Sequence, residues 1–313
     1  MAIPAQRLVS LLPAATEMAF ALGLGDRVLA VSHECDYPNA VRSLPRLTRP
    51  TLDLEGLGQA QIDEAVSAQL ASGSSLYAID EALLRRLGPD LILTQNLCAV
   101  CAPSNLELEP LATRLDPVPR ILWLSPSSIQ DIFDNLRAVA EATDREAQAE
   151  TLIAGMQGKI ADIAARLAGA PRRRVVFLEW VDPVYGAGHW VPEMVRLAGG
   201  EDPLGRPGRD SVRIAWDAVL EAAPEVLIVS PCGLDLERAK IEAAALAARP
   251  GWSRLPAVRQ GLVFAVDANA YFARPGPRVV EGVALLAHLL HPDRVAWTGP
   301  DDAFAPLASA LHA

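Results

Sequence analysis

The sequence predicts an α/β protein of two lobes, each built on a parallel sheet with helices on both faces, joined by one long backbone helix with a ligand cleft between them. Three observations carry this. Strand-like and helix-like patterns alternate on both sides of one long amphipathic segment, as βα units do. That segment is longer than either half needs for its own core. The chemically loaded residues fall just after strand patterns, where sheets of this kind collect their ligands.

The long segment is 144–169, DREAQAETLIAGMQGKIADIAARLAG. Leu152, Ile153, Met156, Ile160, Ile163, Ala164 and Leu167 recur at a 3.6-residue period, with Glu146, Glu150, Lys159, Asp162 and Arg166 mostly off that stripe. Thr143 and Glu146 have the spacing of a capping box, and Gly169 with Pro171 forms a stop. At 1.5 Å per residue it spans roughly 35–40 Å, a rod between lobes. The expected organisation is a lobe at 1–143, the connecting helix at 144–170, a second lobe at 171–292 and a tail at 293–313.

In the first lobe, strands are expected at 7–12, 28–32, 90–94 and 120–124, with helices following Pro13, Gln61, Asp80, Leu106 and Ser127. In the second, strands at 174–180, 225–230 and 262–266 alternate with helices at 192–197, 216–222, 235–248 and 279–290. The stretch 181–190 between them reads as a loop.

Composition agrees with a folded protein: 51% of the 313 residues are hydrophobic and 21% charged, enough for two cores. A net charge of −10 argues against nucleic acid as the main partner, because a phosphate-binding face needs concentrated Lys and Arg. No apolar run reaches the ~18 residues of a membrane span, so no membrane insertion is expected. Met1–Gln6 leads directly into the first strand pattern with no room for a secretory signal, which predicts a cytoplasmic protein, or a periplasmic one if the start is misassigned. In the cytoplasm, Cys35, Cys98, Cys101 and Cys232 would be reduced thiols.

All four cysteines, with His33 and His189, follow strand patterns. The thiolates of Cys98 and Cys101, in a C-x-x-C, can ligate one ion, and Cys35 or Cys232, with His33 or His189, could complete a zinc or iron–sulfur site, with an enzyme as a further alternative. The same cysteines also fit thiol redox work or plain packing. The motifs of hydrolases, nucleotide-binding loops and zinc proteases are absent, so no catalytic residues are assigned and a binding protein is expected. Glu179, at a strand end near His189, is read as bonding to backbone rather than as an acid–base partner. Tyr37, Tyr77, Trp180, Tyr185, Trp190, Tyr271 and Phe272 are expected in loops at the cleft rather than in core strands, forming the wall a large, flat ligand needs, with Ser32, Gln95, Asn96 and Arg274 as orienting groups.

The segments RLVSLLPAATEMAFALGLGDRVLAVSHECDYP (7–38), LGPDLIL (87–93), the rod helix, GHWVPEMVRLAGG (188–200), WDAVLEAAPEVLIV (216–229) and RPGPRVVEGVALLAHLLHP (274–292) together resemble the helical-backbone, class III substrate-binding proteins of ABC transporters. This class takes cobalamin, iron siderophores and haem, and the likeness is nearest to its vitamin B12-binding, BtuF-like branch. The resemblance implies cobalamin or a related corrinoid, tetrapyrrole or metal chelate as ligand. It places Pro13, Ala14 and Thr16 at the pocket border, with Tyr37, Trp190 and the 271–274 stretch as further walls. It also implies docking to an ABC permease through acids at Asp80 or Glu81 and Asp217, residues that equally suit a helix first turn.

Overall fold

The computed structural model describes residues 3–96 and 105–307, and for residues 105–107 the backbone alone. Its contacts divide the chain into two compact units. One comprises residues 1–57, 61–126 and 130–155; the other takes 58–60, 127–129 and 156–313. The division falls between Gly155 and Met156, inside the helix Glu146–Arg166, whose 21 residues make it the longest helix among the described residues.

The first unit is built on β1 (Leu8–Ser10) and β2 (Val28–Val31), together with β3 (Thr48–Pro50), β4 (Tyr77–Ile79), β5 (Leu91–Thr94) and β6 (Arg120–Trp123). Four of them form a parallel sheet in the order β2-β1-β5-β6, with β3 and β4 as a separate antiparallel pair. Each central strand is a short apolar run buried along its whole length, as parallel strands covered on both faces must be. Val9, Ile92 and Leu11 pack with Leu47, Leu84 and Leu108 into its core.

The second unit holds β7 (Arg173–Val181), β8 (Val184–Gly186), β9 (Gly200–Glu201), β10 (Val226–Val229), β11 (Val263–Val266) and β12 (Phe304–Pro306). The order is β12-β11-β10-β7-β8, with β9 on the amino end of β7. β7, β10 and β11 run parallel, while β8 and β12 are antiparallel edges. Val176, Leu178, Leu227 and Val229 pack against Ala239, Leu246 and Trp252.

Several elements differ from the sequence reading, which has no counterpart to β3, β4 or β9. The 181–190 loop contains β8, which folds back on β7. The stretch read as a tail supplies β12, and Val295 is buried. The Thr143 hydroxyl does not cap the long helix; it bonds back to the Val139 carbonyl oxygen at 2.7 Å, as a helix-interior threonine does, and Asp144 turns the chain at φ 59°.

Candidate functional site

In the first unit the candidate residues cluster at the carboxyl ends of β1, β2 and β5. Pro13 opens the helix Pro13–Ala21, the first-turn position its fixed φ suits. Ala14 and Thr16 on the same helix are buried. Cys35 Sγ lies 3.2 Å from Thr16 Oγ1, Thr16 Oγ1 donates to Ser10 Oγ at 2.8 Å, and Ser10 Oγ donates to the Leu12 carbonyl oxygen at 3.0 Å. This chain of short bonds satisfies three polar side chains in an apolar core. Thr16 is therefore a core residue rather than a pocket wall, and Cys35, 1% exposed, is a packed thiol rather than a poised metal ligand.

His33 is held by Thr48 Oγ1 at 2.7 Å on Nδ1 and faces Glu34 at 3.4 Å on Nε2, with its ring against Tyr77. Tyr37 is 47% exposed, the most open aromatic of the candidates. Gln95 is buried at the end of β5, while Asn96 is exposed and its amide donates to Ser125 Oγ at 3.0 Å. Cys98 and Cys101 lie outside the described residues. Among the described residues no group of three His, Cys, Asp or Glu could hold a metal ion; Cys232 is an exposed thiol outside any disulfide.

In the second unit the aromatic wall is largely core. Trp190 is 5% exposed, and its Nε1 donates to the Phe272 carbonyl oxygen at 2.9 Å. Phe272 packs edge-on against Phe177, and Tyr271 against Trp297. Arg274 is buried too and faces the Asp267 carboxylate, whose Oδ1 accepts from the Ala270 amide. These four residues hold the loops beyond β7 and β11 from behind. The sequence reading puts the aromatics in loops, but Tyr271 ends the short helix Ala268–Tyr271 and Tyr77, Trp180 and Tyr185 lie in β4, β7 and β8; nor does the sequence show that the segments around Trp190 and Phe272 fold inward.

Tyr185 and His189 remain more accessible. The Tyr185 hydroxyl accepts from Arg213 Nε at 2.9 Å. His189 sits at φ 51°, a left-handed conformation a non-glycine residue rarely adopts. It lines a hollow of about 270 Å³ with Ser127, Ser128, Glu193, Arg196 and Pro207. Its Nε2 is 3.2 Å from Asp210 Oδ1 but lacks hydrogen-bond geometry, so this buried nitrogen has no hydrogen-bond partner.

Glu179 completes the site, and it does bond to backbone: Oε1 accepts from the Gly188 amide at 2.9 Å. Burial pushes its carboxyl up to about 7, opposed by the Gly188 amide and the Ser211 hydroxyl, and reinforced by the nearby Asp202. Asp202 is itself raised to about 6 by burial, although the amides of Leu204, Phe177 and Gly205 stabilise its charge.

Three comparisons with known proteins bear on this geometry. The periplasmic binding protein family matches residues 8–270. An uncharacterized ABC transporter substrate-binding lipoprotein, YvrC, of Bacillus subtilis (strain 168) is 24% identical over 295 residues, 92% of this chain and 81% of its own. The vitamin B12-binding protein of Vibrio vulnificus (strain CMCP6) is 23% identical over 281 residues, 89% of this chain and 88% of its own. The fold is that of the periplasmic vitamin B12 binding protein BtuF of Vibrio cholerae, with a TM-score of 0.66 and 23% identity, covering 92% of this chain and 98% of that one. These relatives bind substrates and are not enzymes. They also overturn the cytoplasmic expectation: they are periplasmic proteins or lipoproteins, which places the chain outside the cytoplasm. The opening residues of a sequence were the wrong place to read its compartment.

Proposed function

Because the chain belongs to the periplasmic binding protein family, we propose that the solute it carries for an ABC transporter is a corrinoid of the cobalamin type. What supports this reading is that the likeness to vitamin B12-binding proteins runs through both units rather than resting on one motif. Pro13, Tyr37, Asn96, Tyr185 and His189 are the proposed contacts. Tyr185 lies within β8, the other four follow strands, and all five retain some exposure. Ala14, Thr16, Gln95, Trp190, Tyr271, Phe272 and Arg274 form the layer behind them.

For the permease, Glu81 and Asp217 are the proposed docking acids. The Asp80 carboxylate is already engaged, accepting from the Leu83 amide at 2.8 Å as the cap of the helix Glu81–Leu87. Glu81 and Asp217 sit in the first turns of their helices, where a carboxylate also complements the dipole.

One observation favours a second reading, haem or a ferric chelate. An imidazole nitrogen without a hydrogen-bond partner, beside a hollow, is a suitable ligand for a metal centre with an open axial position. Native mass spectrometry of the chain mixed with equimolar cyanocobalamin, hemin and a ferric siderophore separates the two. A cobalamin adduct supports the first reading, a hemin or siderophore adduct the second, and no adduct rejects both.

A further inference from the structure

We infer that Glu179 is a positioning residue, whose carboxylate sets the strained 186–190 turn and thereby the His189 imidazole. The inference rests on the reading of His189 as a ligand contact, and four independent features of the fold lead to it.

The first is the strand. β7 and β8 pair Leu178 with Gly186 but Trp180 with Tyr185, so the register slips at Glu179. An extra residue of this kind re-aims its side chain, which is why bulges gather beside functional sites. The Glu179 backbone stays anchored on the other side, where its carbonyl oxygen accepts from the Cys232 amide at 3.0 Å. Only the side chain is redirected, and it reaches the Gly188 amide.

The second is the absence of room at Gly188. A Cβ there would stand 2.3 Å from the Ser211 nitrogen and 2.7 Å from the Arg209 carbonyl oxygen, both backbone atoms. The chain therefore passes between the Glu179 carboxylate and the 206–213 strap at a point where only glycine fits.

The third is the clamp around His189. Its amide donates to the Arg209 carbonyl oxygen at 2.6 Å, and its carbonyl oxygen accepts from the Gly208 amide at 2.9 Å. The Ala187 carbonyl oxygen accepts from Arg206, and the Gly186 amide donates to Val212. These bonds hold a residue at φ 51°, a conformation that persists only when its surroundings over-determine it.

The fourth is the choice of a carboxylate. A single amide needs only an acceptor, which a glutamine supplies without the cost of enclosing a charge. The groups facing Glu179 are the Gly188 amide, the Ser211 hydroxyl and the Asp202 carboxylate; no cation offsets its charge among them. Asp210, beside His189 on the strap, adds a further negative charge to the same turn. Opening the turn returns the Glu179 carboxylate to water, so opening becomes easier as pH rises through the range in which it ionises.

The test compares wild type, Glu179→Ala and Glu179→Gln in two measurements on the full chain. One is amide hydrogen exchange of the 186–190 stretch at pH 5 and pH 8, corrected for the intrinsic rate. The other is titration with cyanocobalamin. The alanine variant should exchange roughly tenfold faster in this stretch and bind cyanocobalamin roughly tenfold more weakly, with unchanged exchange in the strands of the sheet. The glutamine variant should retain both properties, and its corrected exchange should not vary with pH, whereas that of wild type rises from pH 5 to pH 8. Unchanged exchange in Glu179→Ala overturns the inference, as does wild-type affinity in that variant. If cyanocobalamin binds none of the three, the ligand assignment fails and exchange alone decides whether Glu179 sets the turn.

Discussion

The Trp190 indole donates its Nε1 hydrogen to the backbone carbonyl oxygen of Phe272, 82 residues further along, at 2.9 Å. This bond ties the turn after β8 to the loop after β11. It changes what the tryptophan does: a side chain 5% exposed, with its one polar atom satisfied, holds two loops together and presents no face to a ligand.

Trp190→Ala should therefore cost about 3–5 kcal/mol of stability, as large core truncations do, rather than leave the fold intact. Trp190→Phe keeps most of the volume but orphans the Phe272 carbonyl oxygen, at about 1–3 kcal/mol. Chemical denaturation of the three proteins checks the order wild type, Phe, Ala.

The Glu179 carboxyl gives stability a pH dependence of known sign. Its folded value of about 7 lies above the ordinary 4.5, so the folded protein holds a proton that the unfolded chain has already released. That contribution is complete below about 4.5 and is lost as pH rises through about 7. Glu179→Gln should gain on wild type by on the order of 2–3 kcal/mol between pH 5 and pH 8, read as a widening gap in melting temperature. Asp202, raised to about 6 by burial, works in the same direction, and because its charge also bears on Glu179 the comparison reads the coupled pair.

The thiols should separate by reactivity. In a chain with Cys98 and Cys101 replaced by serine, Ellman's reagent should label Cys232 at once, because it is exposed, and Cys35 only on unfolding, because it is enclosed against Thr16. Two fast thiols in this folded double variant would contradict the packing described for Cys35.

Asp80→Ala removes the side-chain cap on the Leu83 amide at the start of the helix Glu81–Leu87 and should cost about 1 kcal/mol. Transport in reconstituted vesicles should be insensitive to this change and sensitive to Glu81→Ala and Asp217→Ala. The reverse pattern would move the docking role to Asp80.

Much of the fold was legible because local pattern and final structure agree. The helices Val279–Leu290 and Trp216–Ala222 begin and end where the apolar period does. β5 and β10 are unbroken apolar runs before or after a Gly/Pro stop. The missed elements are those whose partners are distant in sequence: β12 is defined only by β11, and β3 only by β4. Thr143 satisfied the spacing of a capping box, yet its hydroxyl had a closer acceptor one turn back. The site was legible in position but not in depth. Trp180 and Tyr185 belong to strands rather than to the expected loops, and only packing shows that Phe272 meets Phe177 and that Tyr37 stays open. The bond from Glu179 to Gly188 could be anticipated in kind, since a strand-end carboxylate near a turn seeks backbone donors; the register slip that directs it could not.

The most direct test of the cobalamin assignment is equilibrium titration of the purified chain with cyanocobalamin, followed by its visible absorption. One cobalamin per chain, with a dissociation constant below about 1 μM, is the expected result. No uptake at ~100 μM cyanocobalamin, in protein that remains folded by circular dichroism, would contradict it.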